Sequence, residues 1–395
     1  MGACSPDFTE VASTMGGIDC GTAPAFASLR SPFALTNGTL PVVEALMVVG
    51  AVASLIHAVL WWRRRGDPTN LGQWCATVVY LLVLEPPLYF PERFGLQDQV
   101  GLIFVHNLFS VQFLYDRLPL YIVALYPALT YLTYALVQRT GVLERRNPLV
   151  GAACVAFVFH CFYEIFDNLG PQLHWWAWNP AAPTNTPWLG SVPVTSAVIF
   201  AGASPFGFAL LTRLLIARRA ARGPVPLPEL ALRSVGVAVG TPVAMLVFAL
   251  PYGILSHAEN RNPTAEATVL WLEIAALAAV ALTAFWQIHR EPWQDGIPVD
   301  HAGRGFLDRF AVIGAAVYLL VFIGLWAGAL PAYLGARGGH TSAGAPSGSL
   351  GYALACLVVC LGLLALAHRD GYRRASGPSV TPSGPGRTAG VNTRR

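Results

Sequence analysis

The chain has 395 residues, 54% hydrophobic and 12% charged, with a net charge of +4 and a mean hydropathy of +0.52. The charged share is about half that of a soluble domain. Water is therefore not its main solvent, and with the basic residues gathered in particular loops, nucleic acid is not expected as a partner. All 25 basic residues are Arg, which reads as the coding bias of a GC-rich genome rather than as mechanism.

The apolar residues recur in blocks of about 20, the length a helix needs to cross a hydrocarbon core of about 30 Å. The expected fold is all-α: a polytopic transmembrane helix bundle of about nine spans plus one re-entrant or interfacial half-helix. Residues 1–38, rich in Gly, Ser, Thr, Ala and Pro, read as a mobile polar leader. No cleaved signal peptide is evident, so the first span is expected to serve as targeting signal. Spans are predicted at roughly 40–62, 70–90, 118–138, 148–168, 191–216, 233–256, 267–288, 309–330 and 350–368. From residue 369 onward the Arg-, Ser-, Gly- and Pro-rich tail is expected to be disordered.

Arginines set the orientation. Arg63, Arg64 and Arg65 follow span one, Arg139, Arg145 and Arg146 follow span three, and Arg213, Arg218, Arg219 and Arg222 close span five. Arg290, Arg304 and Arg309 lie between spans seven and eight. The positive-inside rule makes these loops cytoplasmic, giving a multi-pass cell-membrane protein with its N-terminus outside and its C-terminus in the cytoplasm. The segment 99–113 is apolar but short and carries His106 and Asn107. Were it a span, the Arg clusters would fall on opposite sides, which is why a half-helix is expected there. Cys4 and Cys20 precede the first span and are placed to pair if that segment is exported.

Ionisable groups within hydrocarbon are costly and are functional candidates by default. They are Glu44 and His57 in span one, Glu85 in span two, His106 in the half-span, His160, Glu164 and Asp167 in span four, and Glu273 in span seven. In span four the offsets of four and three between His160, Glu164 and Asp167 put them along one helical face, with Tyr163 at its border. A buried carboxyl of this kind holds a proton and serves as a general acid; the bland alternative is a polar cluster that joins helices. Glu85 precedes Pro86 and Pro87, which end or kink a helix and free carbonyls upstream. Glu44 reads as snorkelling near the outer boundary. The loop 171–190 carries Trp175, Trp176, Trp178 and Trp188, either as an interfacial aromatic belt or as a lid whose ring faces cover a lipophile or a cation.

Spacing sets several chemistries aside. Paired Asp-rich motifs, repeated HxxxH or HxxHH boxes, CxxCH and Walker A are all missing, and neither a metal nor a cofactor is expected. His57 or His106 joining the span-four group around one metal is a weak signal.

The order of features resembles a family. Glu85-Pro86 closes the second span, a short apolar segment follows, and residues 117–121 (Arg-Leu-Pro-Leu-Tyr) open a helix that contains Tyr126-Pro127. An acidic fourth span, a Trp176-x-Trp178 loop and Gly190-x-x-Pro193 come next. This layout, over about residues 70–215, resembles the AveC-like spirocyclases of actinobacteria and, more faintly, membrane carotenoid hydratases and cyclases. The resemblance implies a membrane enzyme acting on a lipophilic polyketide or isoprenoid by acid–base cyclisation, dehydration or hydration. On the residues' own chemistry, Glu164 or Asp167 would protonate the substrate, His160 would receive or return a proton, and Glu85 would be the second carboxylate. Trp175, Trp176 and Trp178 would shield the cation, with Tyr163, His106 and Asn107 as further substrate contacts. The competing class is a proton-coupled transporter or exporter of a lipophilic metabolite, with the proline breaks of spans five and six forming its path. A third is a membrane component whose polar residues only join helices.

Overall fold

The computed structural model describes residues 4–15, 18–19, 21–256, 261–291 and 306–375. Among them nine helices are long and apolar enough to cross a membrane: Thr39–Arg65, Thr69–Tyr89, Leu120–Thr140, Pro148–Asp167, Val194–Ala220, Leu227–Ser256, Pro263–Arg290, Arg309–Leu334 and Leu350–His368. These are spans one to nine, in the places the hydropathy blocks predict, and the chain is a multi-pass membrane protein. Local signals mark their ends. Gly66 takes φ +70° after span one, a conformation that favours glycine. Asn147 caps span four by accepting from the Val150 amide, with Pro148 in the first turn.

Spans three, four and five form the centre. Their apolar windows are 78%, 83% and 67% buried, against 28–39% for the other six. Span four packs against spans three, five, seven and nine, and span two fits between spans one and six. The outward faces carry Val49, Leu246, Leu320 and Val358, all well exposed, which is the apolar surface a bilayer covers. Since lipid offers no hydrophobic driving force between helices, polar ties carry part of the packing. Trp326 and Tyr318 of span eight donate to the span-four carbonyls of Ile165 (2.9 Å) and Phe162 (3.0 Å). The Arg139 Nε–H reaches the Ala367 carbonyl at 3.0 Å.

The loops after spans one, three and five, with their arginines, lie at one end of the bundle. The opposite end is closed by three small sheets. Ala27–Leu29, Val111–Phe113 and Leu118–Pro119 form an antiparallel three-stranded sheet. Phe104–His106 pairs antiparallel with Trp176–Trp178, setting Phe104 opposite Trp178 and His106 opposite Trp176. Trp188–Leu189 and Val192–Pro193 form a third pair.

Three expectations are corrected here. No half-helix forms over 99–113: its two apolar runs, Phe104–His106 and Val111–Phe113, are extended. β-branched and aromatic residues suit strands, and each run finds a strand partner. Leu114, Tyr115 and Asp116, at φ 54–59°, then turn the chain back. The segment still does not cross, so the Arg loops stay at one end.

The leader is also not mobile throughout. Helix Pro6–Ser13 buries Phe8, Val11 and Ala12 against Leu102 and Val105, and Phe8 and Phe90 sandwich the Arg117 guanidinium at 4.2 and 4.4 Å. Cys4 is disulfide-bonded, whereas Cys20 lies outside the described residues. At the other terminus the last helix continues to Ala375, and the rest of the tail lies outside the described residues.

Candidate functional site

A cavity opens inside the loop-capped end between spans two, three, four and five. Its volume is about 60 Å³. Two carboxylates line it, Glu85 from span two and Asp167 from the last turn of span four. With them are His106, Ser204, the four tyrosines Tyr80, Tyr121, Tyr126 and Tyr163, and a ring wall that includes Phe159, Phe166, Trp176 and Trp178.

Several of the polar groups have a definite holder. Glu85 Oε1 accepts a short hydrogen bond from the Tyr126 hydroxyl. Asp167 Oδ2 accepts from Ser196 Oγ at 3.1 Å. His106 Nδ1 and the Tyr121 hydroxyl are 2.9 Å apart, and Tyr80 shares a hydrogen bond with Ser204 at 2.8 Å. The imidazole lies in the loop layer outside the spans, 4% exposed, and burial pushes its pKa down to about 3. It is therefore neutral at physiological pH.

Among the described residues four polar atoms of these lining side chains have no hydrogen-bond partner: Glu85 Oε2, Asp167 Oδ1, His106 Nε2 and Trp178 Nε1. Buried polar atoms are normally paired, and four exceptions around one cavity leave a set of groups for a ligand or ordered water to satisfy.

Local backbone features build the walls. Pro86 and Pro87 lie within the last turns of span two, which runs on to Tyr89 rather than ending at Glu85; lacking N–H groups they leave the Leu82 and Val83 carbonyls without helical donors. Spans three and five each contain a π-helical turn beside the cavity, Tyr126–Thr130 and Ile199–Ala203. Such turns are frequent at functional sites, and here they carry the lining residues Tyr126, Thr130 and Phe200 and lead into Ser204 and Pro205. Trp176 lies directly over Gly170, where a β-carbon would stand 2.0 Å from the indole ring.

The expected site residues divide. Glu85, Asp167, Tyr163, His106, Trp176 and Trp178 come together around the cavity. Glu164, His160, Asn107 and Trp175 do not line it. Glu164 Oε2 accepts from Asn168 Nδ2 at 2.9 Å, and Asn168 Oδ1 accepts from the Ser349 amide at 3.0 Å, so this carboxylate positions the loop between spans eight and nine. His160 has both ring nitrogens engaged. Its Nδ1 faces the Ala197 carbonyl at 3.1 Å and must carry the proton, which leaves Nε2 to accept from the Tyr352 hydroxyl at 2.7 Å. It borders a separate small space with Glu273.

Asn107 Nδ2 ties the His174 carbonyl (2.7 Å) to Thr36. Trp175 donates to Thr39 Oγ1 at 2.8 Å and stacks on Phe166. Trp188 is exposed, so the tryptophan loop is both things at once, an inner wall at Trp176 and Trp178 and an outer aromatic surface at Trp188. Glu44 does not snorkel: it is buried and accepts from the Ser110 and Val111 amides at 3.2 and 3.3 Å. His57 joins Tyr131 (2.6 Å) to the Leu307 carbonyl (3.1 Å).

Among the described residues no three His, Cys, Asp or Glu side chains converge as a metal-binding set. No family model, no curated protein and no solved structure matches the chain.

Sequence reading missed Tyr80, Ser204, Phe200 and Phe208. The break over Gly202 to Pro205, which includes Ser204, marks a cavity or a path without giving the hydroxyl a role; Tyr80, five residues before Glu85, has no periodic relation to it. In the sequence Tyr121 and Tyr126 belong to the family-like motifs, which assign them no role.

Proposed function

We propose that the protein is an integral membrane enzyme that performs acid–base cyclisation, dehydration or hydration on a neutral lipophilic substrate, of the polyketide or isoprenoid type that the resemblance to spirocyclases implies. The observation that carries this reading is the pairing of two carboxylates from different helices, Glu85 and Asp167, in one cavity whose remaining surface is mostly aromatic.

In this reading Asp167 is the acid and Glu164 is not, because only Asp167 lines the cavity. The Asp167 carboxyl gives its proton to a substrate hydroxyl, the C–O bond breaks, and water leaves with the bonding pair. The ring faces of Phe166, Trp176 and Trp178 stabilise the resulting carbocation or oxocarbenium ion. A second hydroxyl of the same molecule closes on the cation, and the proton it releases passes to Glu85, whose other oxygen is held by Tyr126. For dehydration the same cation instead loses a proton from the neighbouring carbon to Glu85, leaving an alkene, and hydration is that dehydration reversed. Excluding bulk water protects the cation and strengthens each electrostatic contact. His106, neutral and held by Tyr121, orients the substrate oxygen through Nε2.

Two observations support an orientation with the cavity on the outer side of the cell membrane. The positive-inside rule puts the arginine end in the cytoplasm, and the disulfide at Cys4 belongs to the opposite end, as an oxidising compartment favours.

The test is a metabolite comparison of the host with and without the gene, complemented by wild type, Asp167→Asn, Glu85→Gln and Glu164→Gln, with membrane levels of each variant measured. Loss of a positioned acid or base lowers turnover by about 10²–10⁴-fold. A precursor differing by a ring closure or by water accumulates with Asp167→Asn and Glu85→Gln, whereas Glu164→Gln, if present at normal level, keeps most activity. A finished metabolite that is made but retained inside the cell would overturn the enzyme reading in favour of an exporter.

A further inference from the structure

A second cavity lies on the far side of span three, in a cleft between spans one, three and eight. Its volume is about 270 Å³, and its walls are almost wholly apolar. Small residues line it and let the helices approach at its edges: Gly50 and Ala53 on span one, Ala128 on span three, which Gly50 faces, and Gly314 on span eight, which packs on Leu132. Val49, Ile313 and Val317, which also line it, are exposed on the outward face of the bundle, so the cleft opens sideways into the bilayer.

Ser54 also lines this cleft. The residue is 1% exposed, and its hydroxyl has no hydrogen-bond partner among the described residues. A helical serine ordinarily bonds back to the carbonyl four residues earlier; this one does not. An unmet hydroxyl in hydrocarbon is costly, which points to an oxygen supplied by whatever fills the cleft.

Depth narrows the occupant. Span one runs Thr39–Arg65, so at 1.5 Å per residue Ser54 is about 22 Å from one end and about 16 Å from the other. A phospholipid headgroup does not reach that depth, and the acyl chain that does carries no oxygen there. We infer that the cleft between spans one, three and eight is a second binding site, for a neutral lipophile that carries one hydroxyl or carbonyl at mid-membrane depth, with Ser54 as its hydrogen-bond partner. The site stands apart from the carboxylate cavity but shares a wall with it. The π-helical turn Tyr126–Thr130 turns Tyr126 and Thr130 to the cavity and Ala128 and Leu129 to the cleft.

The experiment uses the full chain in lipid nanodiscs and three photoreactive diazirine probes: a long-chain alcohol, the matching hydrocarbon without the hydroxyl, and a phosphatidylcholine labelled on its acyl chain. Crosslinks are mapped by mass spectrometry in wild type, Ser54→Ala, Ser54→Thr and Ala53→Trp. The alcohol is expected to label residues of spans one, three and eight around the cleft. Ser54→Ala lowers that labelling about fivefold, the value of one hydrogen bond of about 1 kcal/mol, and leaves the hydrocarbon probe unchanged. Ser54→Thr restores it, and Ala53→Trp abolishes it by filling the cleft. Equal labelling by phosphatidylcholine, or no difference between Ser54→Ala and wild type, would overturn the proposal by making the cleft an ordinary lipid contact. A Glu85→Gln variant labels the cleft as wild type does, so failure of the catalytic reading leaves this result readable.

Discussion

Replacing Gly170 by Ala tests whether the aromatic wall is rigid. A β-carbon at this position would meet the Trp176 ring at 2.0, 2.1 and 2.7 Å, whereas carbon atoms settle at about 3.5–4.0 Å. The indole must therefore retreat by about 1.5 Å. It has little freedom to do so, because its strand is paired with Phe104–His106 and its ring packs on Phe166 at a centroid distance of 5.0 Å. Overpacking of this size costs about 1–3 kcal/mol, and relief by movement of the ring carries it into the cavity it lines. Gly170→Ala should thus melt below wild type in the same detergent and lose product formation at matched membrane level. Gly351→Ala, where nothing stands within 4 Å of the added carbon, is the control. Adding Trp176→Phe to Gly170→Ala should recover part of the lost stability, since the smaller ring makes room. A Gly170→Ala protein that melts and turns over like the control would refute the claim that Trp176 is wedged over this glycine.

Other expected outcomes follow from the same geometry. Tyr126→Phe removes the donor to Glu85 Oε1; hydrogen bonds to charged groups are worth about 1.5–3 kcal/mol, so turnover should fall by about 10- to 100-fold with little change in membrane level, and an unchanged rate would remove Glu85 from the mechanism. His106 supplies a pH test. Its folded pKa of about 3 lies below the ordinary 6.5, so between these values the unfolded chain binds a proton that the folded chain does not. Stability is then lost as pH falls from about 6.5 toward 3. His106→Gln should flatten that part of the melting-versus-pH curve, and an unaltered slope would mean the imidazole takes up its proton while folded. Glu44→Gln keeps the side chain's shape but weakens acceptance from the Ser110 and Val111 amides; faster proteolysis of the 107–119 loop in the variant is the readout, and wild-type resistance would count against the tie.

The nine spans were legible because hydropathy is a property of whole segments, and a stretch of about 20 apolar residues has few alternatives to a helix in lipid. The loop layer was not. Residues 99–113 are as apolar as a half-helix would be, and only their partners, Trp176–Trp178 on one side and Ala27–Leu29 on the other, make them extended. Those partners are more than 60 residues away, outside any local window, and the one nearby partner, Leu118–Pro119, is only two residues long. Span four illustrates a second limit. His160, Glu164 and Asp167 do share a face, yet different partners divide it: Ser196 of span five takes Asp167, Asn168 at the end of span four takes Glu164, and Tyr352 of span nine takes His160. Periodicity tells which residues lie in line, and only packing tells which of them reach a common space.

The two π-helical turns that flank the cavity have a further consequence. A π turn accommodates one residue more than an α turn, and one residue corresponds to about 100° of rotation. Beyond Tyr126–Thr130 and Ile199–Ala203, spans three and five are therefore phased independently of the segments before them. Their loop-end halves are free to present tyrosine and serine inward while their arginine-end halves keep an apolar packing face. Deleting a single residue within either turn would bring the segments that flank it into one α-helical phase, and contacts on one side of the deletion would rotate away from their partners. A change of length in either turn therefore disturbs more contacts than a change of one side chain, unlike along the lipid-facing stretches of spans six and nine, where few packed contacts depend on phase.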